Sequence, residues 1–120
     1  MFMATKNIFD SRKCQRYKVE DGLVALDSVT GELIDISFGG LSFRYTAYES
    51  MLQKPVEFGI VFGGETLYFD QIPLLNITDI ALDDDNDGEL RRRCMQFGEL
   101  SQDDLAKVAK FIREHAKKPV

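Results

Sequence analysis

The chain has 120 residues, of which 44% are hydrophobic and 29% charged, and its formal net charge is −5. These values are typical of one globular domain and exclude disordered and fibrous proteins. The acidic balance also argues against a broad DNA or anionic-lipid surface, because such binding depends on phosphate neutralisation by many basic residues.

Residues 1–10 have mixed polarity and no clear periodicity, which predicts a flexible N-terminal tail before a single domain over residues 11–120. The tail lacks the apolar core of a signal peptide, and no stretch is apolar for long enough to span a bilayer. We therefore expect a cytoplasmic protein without membrane insertion. Cys14 and Cys94 lie far apart and have no neighbour at metal-ligand spacing, so we expect free thiols and no bound metal.

A basic loop precedes the first predicted strand. Residues 1–20 carry five basic and two acidic side chains, so positive charge is concentrated at this end of an acidic chain. Within the loop, Arg12 and Arg16 are four residues apart. Guanidinium groups hold phosphate oxygens with two parallel N–H donors and can also donate to guanine O6 and N7. The loop is a candidate site for a compact, multiply charged anion; a solvated basic loop without a ligand is the alternative.

The first strand pair is predicted at residues 19–26 and 32–36, joined by a turn at 27–31 whose glycine suits a positive φ. Residues 35–40, DISFGG, end this pair. Strand period places Asp35 and Ser37 on one face and the apolar residues 34, 36 and 38 on the other. The two glycines that follow permit a close approach to the backbone. This segment is a candidate recognition edge; a serine turn with a glycine bulge at a barrel corner is the alternative.

Together, Arg12-x-x-x-Arg16 and Asp35-x-Ser37-x-x-Gly40 resemble the paired signature of the PilZ family, bacterial domains that bind the second messenger cyclic di-GMP. The resemblance covers about residues 11–117. It implies that the two arginines hold phosphates and the Hoogsteen edge of guanine, that Asp35 and Ser37 contact guanine N1/N2 and nearby ligand atoms, and that Gly40 leaves space for the ligand. Family members often carry another arginine where Ser11 stands here. Further candidate contacts are Ser11, Lys13, Gly39 and Arg44.

The remaining β-like runs show alternation or short apolar stretches. They cover residues 41–45, 56–62, 66–69, 72–82 and 90–97. Gly63-Gly64-Glu65 predicts a hairpin turn, since no lysine or helix start follows as in a phosphate loop. A connection at 48–55 contains one predicted helical turn at 49–52. The aromatic residues expected in the core are Phe43, Tyr45, Phe58, Phe62, Phe69 and Phe97.

Residues 83–88 form an acidic run that we interpret as a solvated hairpin tip. The alternative, a calcium loop, requires a bidentate glutamate at the position of Cys94 and flanking helices in place of strands. In the next strand, Arg91 and Arg93 share one face and Arg92 takes the other. We expect one or two of them to form surface ion pairs with aspartates across the hairpin; a contact with the ligand is the alternative.

A helix is predicted at about residues 101–117, with Ser101 as its N-cap. Its acidic first turn and basic last turns match the helix dipole. We expect its apolar stripe to close the open end of a β body and His115, near its end, to be solvated. The stripe comprises Leu105, Val108, Ala109, Ile112 and Ala116.

These elements predict a mainly β fold: an antiparallel barrel of about six or seven strands with a C-terminal helix, as the PilZ split-barrel resemblance also implies. No nucleophile, histidine and carboxylate occur in a catalytic arrangement, so we predict no enzymatic activity and no cofactor. The expected function is a cyclic di-GMP receptor that changes its surface for an unidentified downstream protein and binds no DNA or RNA. The alternatives are a PilZ-like protein-interaction module that ignores nucleotide and an OB-type binder of single-stranded nucleic acid.

Overall fold

A computed structural model describes residues 15–27, 29–46, 55–82, 90–116 and 118–120. The predicted N-terminal tail, the predicted turn at 49–52 and the acidic loop at 83–88 lie outside these residues. The described ranges contain eight strands and one helix, which lies between the last two strands. They are β1 (Tyr17–Lys18), β2 (Gly22–Ala25), β3 (Thr30–Ile36), β4 (Gly40–Thr46), β5 (Val56–Gly63), β6 (Thr66–Ala81), β7 (Leu90–Phe97), α1 (Gln102–His115) and β8 (Lys118–Pro119).

The strands form a closed antiparallel β-barrel, which confirms the predicted fold class. Six of the described strands make the barrel in the order β2-β5-β6-β7-β4-β3, and β3 closes it by pairing with β2. The short strands β1 and β8 extend the sheet outward from β3. Each of the six strands pairs with a neighbouring strand on both sides along part of its length, so none of them is an edge strand of the barrel.

The barrel interior is filled by apolar side chains that alternate with outward-facing residues. On β4, Leu41, Phe43 and Tyr45 are buried, as their spacing predicts. The same core cluster includes Val24, Leu33, Ile36, Val61, Phe69, Ile72, Leu74, Met95, Phe97, Val108 and Phe111. Removal of this surface from water is the main force that holds the barrel together.

A bulge in β3 changes which residues face the core. Leu33 pairs with Phe43, but Asp35 pairs with Ser42, so Ile34 is an extra residue in the strand. Leu33 and Ile36 are therefore both buried although they are three residues apart. The prediction that residues 34, 36 and 38 share one apolar face is wrong, because the alternation is interrupted by the bulge and Phe38, beyond the end of the strand, is 45% exposed.

The structure changes two of the predicted strand boundaries and confirms one predicted hairpin. The predicted strand 19–26 is interrupted at Asp21, which has a φ of 68°, so β2 begins only at Gly22. Gly31 lies within β3 and not in the turn; a Cβ there would be 2.2 Å from the Phe43 ring. The predicted β5–β6 hairpin is confirmed: Gly63 pairs with Thr66, and Gly64, with a φ of 59°, lies in the turn between them.

The predicted strands at 66–69 and 72–82 are one continuous strand, β6, of 16 residues. Its partner β5 matches Gly59 with Ile72 and Val61 with Phe69, so two residues of β6 lie opposite Ile60. Asp70 and Gln71, which lie between the two predicted strands, are these two residues, and the bulge accommodates them within β6.

Helix α1 begins at a capping box in which the Ser101 hydroxyl accepts from the Asp104 N–H and the Asp104 carboxylate accepts from the Ser101 N–H. Val108 and Phe111 are its buried residues, whereas Leu105 is exposed. The predicted stripe was wrong in omitting Phe111, which packs edge-on against Tyr68 of β6 with ring centroids 5.0 Å apart. No helix among the described residues has the length and apolarity required to cross a membrane.

The helix ends against the β5–β6 hairpin. His115 packs against Tyr68 and Phe111, and a Cβ at Gly63 would lie 2.5 Å from its ring. His115 is half-buried, so the expectation of a solvated histidine is wrong. A glycine is required in the strand because the imidazole occupies the space that a side chain would take.

Candidate functional site

The described residues of the two predicted motifs meet on the outer side of the barrel. Arg16, Asp35, Ser37 and Gly40 line one cleft. Arg12, together with the candidate contacts Ser11 and Lys13, lies outside the described residues. The remaining lining residues are Leu41, Ser42, Ile77, Cys94 and Met95.

The cleft is shallow. Its volume is about 10 Å³, which is room for one water molecule. A ligand larger than that would extend over the outer faces of β3, β4 and β7 and would not be enclosed by the described residues.

Asp35 is the buried acidic group of this cleft. Its Oδ1 accepts a hydrogen bond of 2.9 Å from the Ser42 hydroxyl, and its Oδ2 accepts one of 3.1 Å from Arg92 Nη2. Ser42 is brought directly opposite Asp35 by the β3 bulge. The carboxylate is thus partnered on both oxygens inside the protein, and the buried Nε–H of Arg92 has no hydrogen-bond acceptor among the described residues.

Ser37 closes the turn between β3 and β4. Its Oγ accepts hydrogen bonds from the N–H groups of Gly39 and Gly40, at 3.0 and 3.2 Å. The Ser37 N–H also donates to the Gly40 carbonyl at 2.8 Å. Ser37 is only 2% exposed. In this geometry the serine orders the turn, as the alternative interpretation of the segment describes.

Gly40 has a structural reason to lack a side chain. A Cβ at this position would lie 2.2 Å from the carbonyl oxygen of Met95 on the neighbouring strand β7. The carbonyl of Gly39 accepts from the Phe97 N–H at 2.9 Å. The glycine pair therefore lets β4 and β7 approach closely beside the cleft.

Arg16 supplies positive charge to the cleft. Its backbone carbonyl accepts from the Val120 N–H at 2.9 Å, which fixes the chain just before β1. Its side chain is half-buried and forms no ion pair with another residue in the described ranges. Arg44, the strand candidate, is exposed and pairs instead with Glu32 at 2.8 Å.

Arg91 and Arg93 share one face, as predicted, but Arg93 is buried and not on the surface. It is 1% exposed and donates to Asp79 at 3.1 Å, to Glu57 at 3.3 Å and to the Tyr45 hydroxyl at 3.1 Å. Arg91 donates to Asp79 at 2.7 Å. The arginines pair with carboxylates on β5 and β6, and this buried ion cluster lies inside the barrel, away from the cleft.

Hydrogen bonding shifts the titration of this ion cluster. Burial alone would raise the pKa of Asp79, but hydrogen bonds from Tyr45, Arg91 and Arg93 lower it below its usual value. Burial, and then the hydrogen bond to Asp79, raise the pKa of Tyr45. Asp79 is therefore ionised and Tyr45 neutral near neutral pH.

The aromatic residues divide between the core and the surface. Phe43, Tyr45, Phe69 and Phe97 are buried as predicted. Phe58 is exposed and Phe62 only partly buried, so the prediction was wrong for these two. No cluster of metal-ligating side chains occurs among the described residues.

Sequence reasoning missed Ser42, Cys94 and Ile77 as parts of the cleft. Ser42 lies two residues from Arg44, so strand period alone put it on the polar face of β4, but its pairing with Asp35 depends on the bulge. Cys94 pairs with both Ser42 and Thr78, which makes it the centre of the outer face here. No local signal in the sequence identifies such cross-strand neighbours.

Comparison with known proteins found no matching family model and no matching curated protein.

Proposed function

We propose that the protein is a non-enzymatic receptor for cyclic di-GMP. The observation that supports this proposal is that Arg16 lines the same cleft as Asp35, Ser37 and Gly40. These residues belong to two motif halves that are separated in sequence by β1, β2 and most of β3. An arrangement that placed the halves on opposite sides of the barrel would have removed the basis for the proposal.

In the proposed complex, Arg16 and Arg12 bind the phosphates through charge-assisted hydrogen bonds. Asp35 accepts from guanine N1–H and N2–H. Because the cleft holds only about one water, the nucleotide lies across the outer face of the barrel. Phe38, which follows the cleft residue Ser37 in the chain and is 45% exposed, offers an aromatic surface for a purine base.

In the proposed complex, guanine takes the place of Arg92 at the Asp35 carboxylate. Arg92 Nη2 now donates to Asp35 Oδ2 and to the Ser42 hydroxyl, at 3.1 and 3.3 Å. Guanine presents N–H donors of the same kind, so it can replace the guanidinium at the carboxylate. The released Arg92, whose Nε–H has no acceptor among the described residues, would then be free to bind a ligand phosphate. This exchange would couple the ligand to the surface of β7.

Isothermal titration calorimetry of the full chain with cyclic di-GMP tests the proposal. We expect saturable heat with the wild type and at least about tenfold weaker binding for Arg16→Ala, because a charged phosphate contact is lost. Arg113→Ala removes an exposed arginine from α1 and serves as the matched control. Cyclic di-AMP should bind weakly, since adenine has no N1–H donor for Asp35. Absence of heat and of thermal stabilisation at tens of micromolar nucleotide would refute the receptor.

A protein-interaction module without nucleotide is the second candidate. It is favoured by the fact that Asp35, Ser37 and Gly40 each have an intramolecular structural role in this geometry. In that case cyclic di-GMP leaves the melting temperature unchanged, and Arg16→Ala has no effect on any nucleotide titration. The calorimetric experiment therefore separates the two candidates directly.

A further inference from the structure

Strand β5 carries its large apolar side chains on the outer face of the barrel, where a strand in contact with water alone would carry polar ones. Val56, Phe58, Ile60 and Phe62 point outward, while the intervening positions are occupied by Glu57, two glycines and one valine. Phe58 is 55% exposed and Val56 44%. An antiparallel strand with one solvated face normally shows polar residues there, so this outer face is built for contact with something other than water.

Neighbouring strands extend the apolar surface. Register places Leu23 of β2 beside Phe62, which also pairs with Leu67 of β6. Leu23 is 45% exposed and Leu67 49%. Farther along, Pro73 and Leu75 of β6 lie beside Phe58 and Val56. We call these residues the β2–β5–β6 face: Leu23, Val56, Phe58, Ile60, Phe62, Leu67, Pro73 and Leu75. A contiguous exposed apolar surface of this kind marks an interaction site.

Among the described residues, strands β2, β5 and β6 and the turns next to them carry only acidic charges. Residues 19–27 and 55–78 contain no lysine, arginine or histidine. Asp70 lies in the β6 bulge opposite Ile60, and Glu65 lies in the β5–β6 turn. The exposed charged residues of these two segments are Glu20, Asp21, Asp27, Glu65 and Asp70.

We propose that the β2–β5–β6 face docks a segment of another protein that presents large apolar side chains flanked by lysine or arginine. Apolar residues of the partner would cover Phe58 and its neighbours, and its basic residues would meet the acidic border. A second copy of this chain fits poorly, because a two-fold pairing of the same face sets carboxylates against carboxylates. Nucleic acid and anionic lipid are repelled by the same border.

The docking face is continuous with the cleft. Ile77 follows Leu75 on the outer side of β6, is 52% exposed and also lines the cleft beside Cys94. A partner that covers the far end of the β2–β5–β6 face would therefore contact the border of the cleft. The docking proposal itself does not require that the cleft bind nucleotide.

The test uses a synthetic 18-residue amphipathic helix of leucine and lysine with one tryptophan. The protein contains no tryptophan, so the peptide's fluorescence reports binding to the full chain. We expect saturable binding that is about tenfold weaker for Phe58→Thr, since exposed aromatic residues at the centre of an interface contribute most of its free energy. A peptide with glutamate in place of lysine should not bind.

The matched control is Leu105→Ala, which removes an exposed leucine from α1, outside the face. It should bind the peptide like the wild type, and circular dichroism of Phe58→Thr tests whether this variant keeps the β-barrel fold. Equal affinity of Phe58→Thr and wild type would mean non-specific charge attraction and would overturn the proposal. So would a dimer in sedimentation velocity that Phe58→Thr dissolves, or peptide binding that appears only after deletion of residues 1–10.

Discussion

Gly40 shows how one residue of a binding motif also serves the barrel. Its α-carbon lines the cleft, but the position of a Cβ is occupied by the backbone of β7. Ser37 similarly satisfies two backbone N–H groups of the turn while it faces the cleft. At this scale, loss of a motif residue changes stability as well as any binding, and the two effects must be measured separately.

Gly40→Ala should destabilise the protein by about 1–3 kcal/mol, because the new methyl group meets a backbone carbonyl that cannot move without separating β4 from β7. Gly98→Ala is the matched control. Its Cβ would meet the side chain of Pro73 at 3.1 Å and not the backbone, so we expect a smaller loss. Urea unfolding of both variants measures the difference. Equal losses would show that strand approach is not what requires glycine at position 40.

Residue types and spacing were sufficient to select Arg16, Asp35, Ser37 and Gly40, and the structure brings these four together. They were not sufficient to identify the partners of Asp35. Ser42 and Arg92 reach it across two strand pairings, one of them shifted by the Ile34 bulge. A bulge depends on packing of Leu33 and Ile36 into the same core, which no single strand's alternation reveals.

Strand β7 is the element whose environment was hardest to predict. Its three consecutive arginines alternate between the cleft side and the barrel interior, where Arg93 lies between Glu57 and Asp79. Arg93 also places its Cζ 4.8 Å from the centroid of the Tyr45 ring. The pattern correctly separated Arg92 from its neighbours, but charged residues are rarely buried, so the interior position was not expected.

Arg93→Met should destabilise the protein by about 3–5 kcal/mol, because it leaves Glu57 and Asp79 buried without their shared cation. Arg44→Met removes an arginine from an exposed pair on β4 and should change the free energy of unfolding by less than about 1 kcal/mol. Chemical denaturation of the two variants makes the comparison. A small effect of Arg93→Met would mean that the buried ion cluster is dispensable.

For the other elements, periodicity predicted the strands and the helix but assigned some of their faces incorrectly. The alternation of Leu41, Phe43 and Tyr45 points into the core as expected. The equally regular alternation of Val56, Phe58, Ile60 and Phe62 points out. Alternation identifies two faces of a strand and not which one is inside; on β5 the inner face is set by Gly59 and Gly63, where larger side chains would collide with Leu74 and His115.

Across the whole molecule, titration of two groups should limit the pH range of stability. The pKa of Asp79 is lowered in the folded protein. Its contribution to the free energy of unfolding is therefore complete above the unfolded-state pKa of about 4 and is lost as pH falls through the folded-state pKa. Burial, together with the hydrogen bond to Glu114, raises the pKa of Tyr68 to about 12. Its contribution is complete below about pH 10 and is lost as pH rises towards 12.

Tyr68→Phe should therefore flatten the loss of stability between about pH 10 and 12, since one tyrosine no longer ionises on unfolding. Urea midpoints measured across this range give the slope for wild type and variant. An unaltered slope in Tyr68→Phe would show that burial against α1 does not protect this hydroxyl.

Ile77 lies where the two outer surfaces of the barrel meet, since it lines the cleft and follows Leu75 on the outer side of β6. A substitution there is expected to be pleiotropic, with consequences for whatever occupies either surface. Natural variation or directed evolution that adjusts one affinity through this position would alter the other at the same time. Independent tuning would have to proceed through residues farther from the shared boundary, such as Arg16 on one side and Leu23 on the other.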